Sequence, residues 1–497
     1  MEYVSTRNRT VKITAAQAIA AGIAPDGGLY CPTGYPALTL SEVQELCGKC
    51  YKERAAYILG KYLTDFTSEE LREFTEKAYA NEKFGGEDTA PVVKLADGKY
   101  ILELWHGPTS AFKDMALQIL PYLLTASLNK IGETRTVCIL VATSGDTGKA
   151  ALEGFKDVAG TKIMVYYPVD GVSTIQKLQM ATQEGENVYV CAIKGNFDDA
   201  QTAVKQIFTH KETLEELNKN QMMLSSANSI NWGRLVPQIA YYVSAYCDMV
   251  NRKEVSLGDA INICVPTGNF GNILAAYFAK NMGLPVHKFI CASNQNNVLT
   301  EFFENHGNYN KKRPFYVTAS PSMDILISSN LERLLFLASG NNDEMVRDLM
   351  GKLSGEGAYQ LDGTVFEEIA KDFAAGCCDD DAAAAVIRKT FEEEQYLMDT
   401  HTAVGVCVYE QYRKKTGDKT PTVIASTASP YKFCQSVLRA LGEPVETDGP
   451  ELLRQLQRCT HTEIPAPLAA LAGKAIRFDA VIDKTEILRS TEILKTL

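Results

Sequence analysis

Residues 104–120 read Leu-Trp-His-Gly-Pro-Thr-Ser-Ala-Phe-Lys-Asp-Met-Ala-Leu-Gln-Ile-Leu, and Lys113 stands between the turn pair Gly107-Pro108 and an apolar run. Gly-Pro stops the preceding segment, and Thr109 and Ser110 are N-cap candidates. Phe112, Met115, Ala116, Ile119 and Leu120 then recur at helical spacing. The pattern predicts a helix with Lys113 in its first turn. The positive end of a helix dipole disfavours an ammonium there and favours the neutral amine, the species that condenses with an aldehyde. A solvated surface lysine beside Asp114 satisfies the same local pattern, so the rest of the chain decides between the two.

Two further stretches have the composition of anion-binding loops. Ala142-Thr-Ser-Gly-Asp-Thr-Gly-Lys-Ala-Ala follows a strand-like run and opens a helix, which exposes backbone N–H groups and hydroxyls to an anion. It is not a Walker A loop, because Ala150 follows Gly148-Lys149 and Thr143 stands where the first glycine belongs. A carboxylate suits it better than a triphosphate, and a plain capped turn is the ordinary alternative. Pro266-Thr-Gly-Asn-Phe-Gly-Asn repeats the arrangement, with Gly268 and Gly271 permitting close backbone approach, the physics of a phosphate cradle. No G-x-G-x-x-G is present, which disfavours a dinucleotide. Two anion loops and a candidate Schiff-base lysine together suggest one phosphate-bearing ligand held between lobes and joined to Lys113. Pyridoxal phosphate fits that description.

These stretches need a scaffold, and the spacing supplies an alternating one. Val92-Val-Lys-Leu, the turn Asp97-Gly98 and Tyr100-Ile-Leu-Glu-Leu predict a hairpin. Strands are predicted at Val137–Ala142, Lys162–Tyr167 and Val188–Ile193, with helices over 148–158, 174–184, 198–210 and 230–250 between and after them. A second unit runs from strand Ile261–Pro266 through a helix from Gly271 to strand Val286–Ala292. Residues 320–415 read as mostly helical, a strand at Thr422–Ala425 and a helix from Pro430 follow, and the last fifty residues add helices and a short tail. Short apolar strands separated by amphipathic helices indicate an α/β fold with parallel sheets covered on both faces, ligands lying at the strands' carboxyl ends. The expected division is an N-terminal domain over 1–95, a lysine segment over 96–135 belonging to the large lobe, a small α/β lobe over 136–255, and a large lobe over 256–497 with a helical insertion at 320–415.

The 497 residues allow two or three domains, and 45% hydrophobic with 22% charged residues is ordinary for a globular protein. A net charge of -11 argues against a nucleic-acid face. The start has no apolar signal region and no run approaches membrane-spanning length, so the expected location is cytoplasmic, without membrane or nucleic-acid partners. Thirteen cysteines are scattered, and Cys138, Cys191, Cys264 and Cys291 fall in strand-like runs as small buried hydrophobes. Cys47-Gly-Lys-Cys50 is a lone C-x-x-C on an expected helix with no second pair, and no metal site is expected.

The ordered set His106-Gly-Pro-Thr-Ser-Ala-Phe-Lys-Asp, Thr143-Ser-Gly-Asp-Thr-Gly, Ser226-Ala-Asn-Ser-Ile-Asn-Trp-Gly-Arg234, Gly268-Asn-Phe-Gly-Asn272, Ser320-Pro-Ser-Met-Asp-Ile and Ser426-Thr-Ala-Ser-Pro-Tyr-Lys-Phe resembles the threonine synthases, in their longer bacterial and fungal branch. The resemblance covers nearly the whole chain. It implies a two-lobed fold-type II pyridoxal-phosphate fold, like that of the tryptophan synthase β subunit, and a lyase of threonine biosynthesis. That enzyme converts O-phospho-L-homoserine and water to L-threonine and phosphate by β,γ-elimination and replacement. It further implies that Lys113 is the Schiff-base lysine and the acid/base at Cα and Cβ. Gly268, Asn269, Phe270, Gly271 and Asn272 would cradle the cofactor phosphate, and Thr427 would face the pyridine nitrogen. Thr143, Ser144 and Thr147 would hold the substrate carboxylate. Asp146 falls where relatives have Asn near the cofactor's phenolic oxygen, which a carboxylate would repel unless one of the two carries a proton.

For the substrate phosphate the choice is Arg234 with Ser226, Asn228 and Ser320, because a dianion needs fixed donors and a guanidinium is a planar fork. A helix-surface role for Arg234 and a helix N-cap role for Asn228 or Ser229 are the structural alternatives. Ser429 stands where the family commonly has His, and Thr400 where it has Pro; His401 is expected to be a packed histidine. The competing activities are a dehydratase or a phospho-lyase giving 2-oxobutyrate, and a silent scaffold of the same fold. A monomer or a homodimer is expected.

Overall fold

The structure is a computed structural model and describes every residue except Ser144, Asp170, Gly171 and Asn196. Two sheets dominate it. The larger runs, in spatial order, Phe373–Cys377, Val286–Ser293, Ile261–Pro266, Thr422–Ser426, Lys99–Glu103 and Val92–Lys94. Its first five strands are parallel, and the sixth returns antiparallel through the expected hairpin. Asp97 and Gly98 turn that hairpin at φ 60° and 72°, a region that asparagine, aspartate and glycine tolerate best. The smaller sheet is parallel throughout, in the order Val481–Ile482, Val188–Ile193, Thr161–Pro168, Thr136–Ala142 and Met222–Ser225.

Continuous apolar strands are buried on both faces, as the parallel arrangement requires: every residue of Ile261–Pro266 is buried. Cys138, Cys191, Cys264 and Cys291 lie in these strands as buried side chains. The Cys47 and Cys50 pair sits differently from expectation, because Cys47 ends the helix Leu40–Cys47 and Cys50 precedes Tyr51–Tyr62. Among the described residues no helix is long and apolar enough to cross a membrane.

The departures from the expected elements are strands with weak signals of their own. Within 320–415, Ala358–Gln360 pairs with Asn308–Asn310, and Phe373–Cys377 forms an edge of the large sheet. Phe-Ala-Ala-Gly-Cys has no β-branched residue to announce a strand. Met222–Ser225 and Val481–Ile482 are edge strands of four and two residues, whose partner supplies the pairing. The second of these returns the chain's last residues to the smaller sheet.

The N-terminal region carries a three-stranded antiparallel sheet of Asn8–Ile13, Tyr3–Ser5 and Tyr30–Pro32. It shares a core with the rest. The Trp232 ring packs against Tyr3, Tyr62 and Phe278 at centroid distances of 5.5, 5.6 and 5.3 Å.

Candidate active site

Lys113 is set by a turn rather than by a long helix. The helical segment Asp114–Leu117 is four residues long, and Leu120–Lys130 follows as a separate helix. Thr109 and Ser110 do not cap it. The Asp114 carboxylate reaches back and accepts from Thr109 N at 2.8 Å and Thr109 Oγ1 at 2.7 Å, while Ser110 takes φ 57°. Gly107 is needed there, since a Cβ on it would lie 2.5 Å from Asp114 Oδ2. Burial pushes the Asp114 carboxyl up to about 6 against the pull of the two Thr109 donors.

Lys113 Nζ lies over the Phe112 ring and 3.8 Å from Asp146 Oδ2. Its amine is pushed down to about 8, first by burial, with Asp146 opposing and Arg234 and Lys432 adding to the depression. Burial, not the dipole of so short a helix, is therefore the cause of the neutral tendency. Thr427 is anchored beside this segment: Phe112 N donates to Thr427 O at 2.8 Å, and Ala111 bridges to Ala428.

Asp146 opens the helix Asp146–Phe155 at the carboxyl end of strand Thr136–Ala142. Its Oδ1 accepts from Gln176 Nε2 at 2.7 Å and sits 2.7 Å from the ammonium of buried Lys432. Lys432 and Lys113, with the Gln176 hydrogen bond, hold its carboxyl below the usual carboxylate range despite burial. Within the same loop, Thr143 Oγ1 accepts from Gly145 N at 3.0 Å and Gly148 N at 2.9 Å, so this hydroxyl shapes the turn. Thr147 is half-buried one residue after Asp146, and Ser144 lies outside the described residues.

The second loop leaves Ile261–Pro266 and enters the helix Gly271–Met282 through Phe270, a bulky residue at φ 62°. Such strain in a non-glycine residue is concentrated at functional loops. Phe270 contributes backbone to the loop, for its ring is buried against Phe373. A Cβ on Gly268 would lie 2.8 Å from Ser322 O. Asn272 accepts through Oδ1 from the hydroxyls of Tyr241, at 2.8 Å, and Tyr242. Its Nδ2 is buried with no partner among the described residues. Asn269 O accepts from Asn330 N and Nδ2, both at 3.1 Å, and Asn330 Nδ2 also reaches Ser229 O at 3.3 Å.

Asn330 thus joins this loop to the segment 226–231, from which the helix Trp232–Asn251 starts. The cap of that helix is Asn231, whose Oδ1 accepts from Gly233 N at 2.8 Å; neither Asn228 nor Ser229 takes that role. Asn228 is exposed and Ser226 half-buried. Arg234 is buried, and its Nη1 donates to Ala227 O at 2.7 Å. Its Nε has no partner among the described residues, and burial alone pushes its guanidinium down to about 10. A surface arginine is thereby ruled out. Ser320 Oγ accepts from Asn294 Nδ2 at 3.1 Å beside Thr318 and Asp324. His401 is packed on Phe433, donates from Nδ1 to Asp399 at 2.9 Å, and accepts at Nε2 from Ser322 N at 3.2 Å.

Residues 90–428 match the family described as "Pyridoxal-phosphate dependent enzyme", 2–79 match "Threonine synthase N terminus", and 402–490 match "Threonine synthase, C-terminal". The chain belongs to the threonine synthase family. "Threonine synthase-like 1" of Homo sapiens is 41% identical over 436 residues, covering 86% of this chain and 58% of the relative, so the chain spans little more than half of that protein. "Threonine synthase" of Methylobacillus glycogenes is 37% identical over 459 residues, covering 90% of this chain and 93% of the relative. The crystal structure titled as PLP-bound threonine synthase from Brucella melitensis superposes with a TM-score of 0.88 at 37% identity, covering 100% of this chain and 99% of that one. The fold-type II architecture, two parallel-sheet lobes with an N-terminal addition, is that of this threonine synthase family.

The residues present fit the family's cofactor. Lys113 offers a half-buried amine whose pKa is pushed down to about 8, and Gly268 and Gly271 stand at a helix N-terminus beside the unpartnered Asn272 Nδ2. Sequence reasoning had not singled out Lys432, Gln176, Asn330 or Arg333. A signal for Lys432 was present in its setting, a lysine flanked by Tyr431, Phe433 and Cys434 in an apolar run. The other three are recruited by tertiary contacts that leave no local pattern.

Proposed function

We propose that this chain converts O-phospho-L-homoserine and water to L-threonine and phosphate, using pyridoxal phosphate. The observation that carries the reading is Arg234: a buried guanidinium with an unpartnered Nε, whose charge is felt at Lys113. A second phosphate beside the cofactor's own would complete it, and a plain dehydratase has no use for such a group.

When bound, pyridoxal phosphate supplies an aldehyde for an amine and a ring that takes up the electrons of a carbanion at the substrate's α carbon. Its phosphate would be held by the backbone of 268–271 with Asn269 and Asn272, and Thr427 would face its ring nitrogen. Lys113 Nζ, with its pKa pushed down to about 8, takes the proton from Cα and moves protons at Cα and Cβ. Arg234, with Ser226 and Asn228 at the mouth, orients the substrate phosphate. The turn around Thr143 and Thr147 orients its carboxylate at the N-terminus of Asp146–Phe155. Asp146 balances the charge of Lys113 and Lys432. Ser320, whose Oγ accepts from Asn294 Nδ2, would keep its own hydroxyl hydrogen to donate to the substrate phosphate. In the same reading the chain divides into the N-terminal region, a small lobe built on 136–255 with the final strand, and a large lobe built on 96–135 and 256–475.

The test is the absorption spectrum of the full-length protein, followed by substrate and assays for phosphate, threonine and 2-oxobutyrate. A band near ~410–425 nm, the signature of the cofactor joined to a lysine amine, is expected in the parent and absent in Lys113→Ala. Threonine and phosphate should appear together. Phosphate with 2-oxobutyrate would move the reading to a phospho-lyase, and no band after adding the cofactor would overturn it.

A further inference from the structure

Lys432 follows strand Thr422–Ser426 in the turn Pro430–Phe433, and its ammonium is fully buried. It lies 2.7 Å from Asp146 Oδ1 and donates to Thr109 O at 2.9 Å. It therefore ties a loop of the large sheet to the helix that leaves the smaller one. Gln176 Nε2 reaches the same Oδ1, while Oδ2 faces Lys113 at 3.8 Å. One carboxylate is thus shared by two lysines, and Lys432 holds the closer position.

That ordering decides the state of Lys113. A buried carboxylate with a single lysine beside it holds that lysine as an ammonium, whereas condensation with an aldehyde needs the neutral amine. The charged groups facing Lys113 are Asp146, Arg234, Lys432 and Asp114, and Asp114 is already engaged by Thr109. Those facing Asp146 are Lys432 and Lys113, with neutral Gln176. Lys432 is the group in this set whose loss would hand Asp146 to Lys113.

We propose that Lys432 is a positioning residue that keeps Asp146 as its own counter-ion and so leaves the Lys113 amine free to give up its proton. The inference rests on the reading of Lys113 as the amine joined to the cofactor. It gives Asp146 a reason to be a carboxylate: the negative charge is needed to keep a second lysine in a dry interface.

The experiment follows reductive methylation of Lys113 by formaldehyde and cyanoborohydride in full-length protein freed of cofactor, between about pH 6 and 10, read by peptide mass. In Lys432→Met the midpoint of the profile should rise by about one pH unit or more, making methylation at pH 7 about tenfold slower. Lys432→Arg, which keeps the charge, should restore the parent profile. An unmoved profile in folded Lys432→Met would overturn the proposal. Should that variant fail to fold, Lys432→Gln carries the same expectation, and failure of both to fold would assign Lys432 to folding and overturn it as well. The parent's absorption band is scored separately. Its absence after cofactor is added sinks the assignment of Lys113, whereas an unmoved profile with the band intact sinks only the role of Lys432.

Discussion

Replacing Arg234 by methionine separates binding from stability. Burial pushes this guanidinium from its ordinary 12.5 to about 10. At about 1.4 kcal/mol per pH unit, holding the charge inside costs the folded protein about 3 kcal/mol. The sign follows from a folded value below the unfolded one: the cost is present in full below about pH 10 and is relieved as the pH rises toward 12.5. Methionine removes the charge and keeps most of the volume. It forfeits the hydrogen bond to Ala227 O, worth about 1.5–3 kcal/mol for a charged donor. The two effects nearly cancel, so Arg234→Met should unfold in urea within about 1–2 kcal/mol of the parent.

Activity should not be spared in this way. Removing one partner of a buried ion pair costs about 3–5 kcal/mol, so kcat/KM for O-phosphohomoserine should fall by about two to four orders of magnitude. Inorganic phosphate gives an independent reading, because it should raise the thermal midpoint of the parent and leave that of the variant unmoved. Two results would refute the reasoning. A variant destabilised by well over 2 kcal/mol would make Arg234 a structural strut, and one keeping kcat/KM within tenfold would leave the substrate phosphate without this anchor.

Gly268→Ala places a Cβ 2.8 Å from Ser322 O and 3.4 Å from Met323 Cα, backbone that does not step aside; equilibrium dialysis should show cofactor retention weakened tenfold or more, at about 1–3 kcal/mol of stability. An unchanged dissociation constant would remove this loop from the cofactor site. Asp114 is raised from 3.8 to about 6, so the native state keeps a proton that the unfolded chain releases between those values, and stability falls as the pH rises through that window. Asp114→Asn should therefore gain about 3 kcal/mol on the parent between pH 4 and 7 in urea denaturation, and parallel curves would contradict the burial of this carboxyl.

Much of the scaffold was legible because a parallel strand buried on both faces is a continuous apolar run. Val188–Ile193 and Ile261–Pro266 form over the very residues the pattern predicts. Phe373–Cys377, Met222–Ser225 and Val481–Ile482 were not, since their pairing comes from a neighbouring strand rather than from their own composition. At the candidate site, Lys113 and Arg234 were singled out by the chemistry that a lysine or an arginine can do in that company, and the structure brings them within electrostatic reach of each other. The local capping rule failed at both helices near them. Thr109 gives its hydroxyl to Asp114, and Asn231 displaces Asn228 because its Nδ2 also reaches Ile19 O at 3.0 Å. Lys432 meets Thr109 across 323 residues of chain, a distance over which no periodicity speaks.

The same long-range logic ties the N-terminal region to the rest of the chain. Arg333 is fully buried, and its Nε donates to Tyr30 O at 2.9 Å, its Nη2 to Ile230 O at 2.6 Å and its Nη1 to Asn330 Oδ1. Asn330 in turn holds Asn269 O and Ser229 O. One guanidinium therefore connects the N-terminal sheet, the 226–231 segment and the loop of 268–272. A lysine has a single nitrogen and could not reach three acceptors fixed in different directions, whereas the planar fork does. Burying that charge is costly unless every acceptor stays in place, so a shift of the Tyr30 strand would be felt at the 226–231 segment and at the loop of 268–272. Residues 1–79, with Trp232 packed between Tyr3 and Tyr62, are in this sense part of the frame that holds the 226–231 segment against the loop of 268–272, and their distance from Lys113 in sequence says nothing about their distance from these segments.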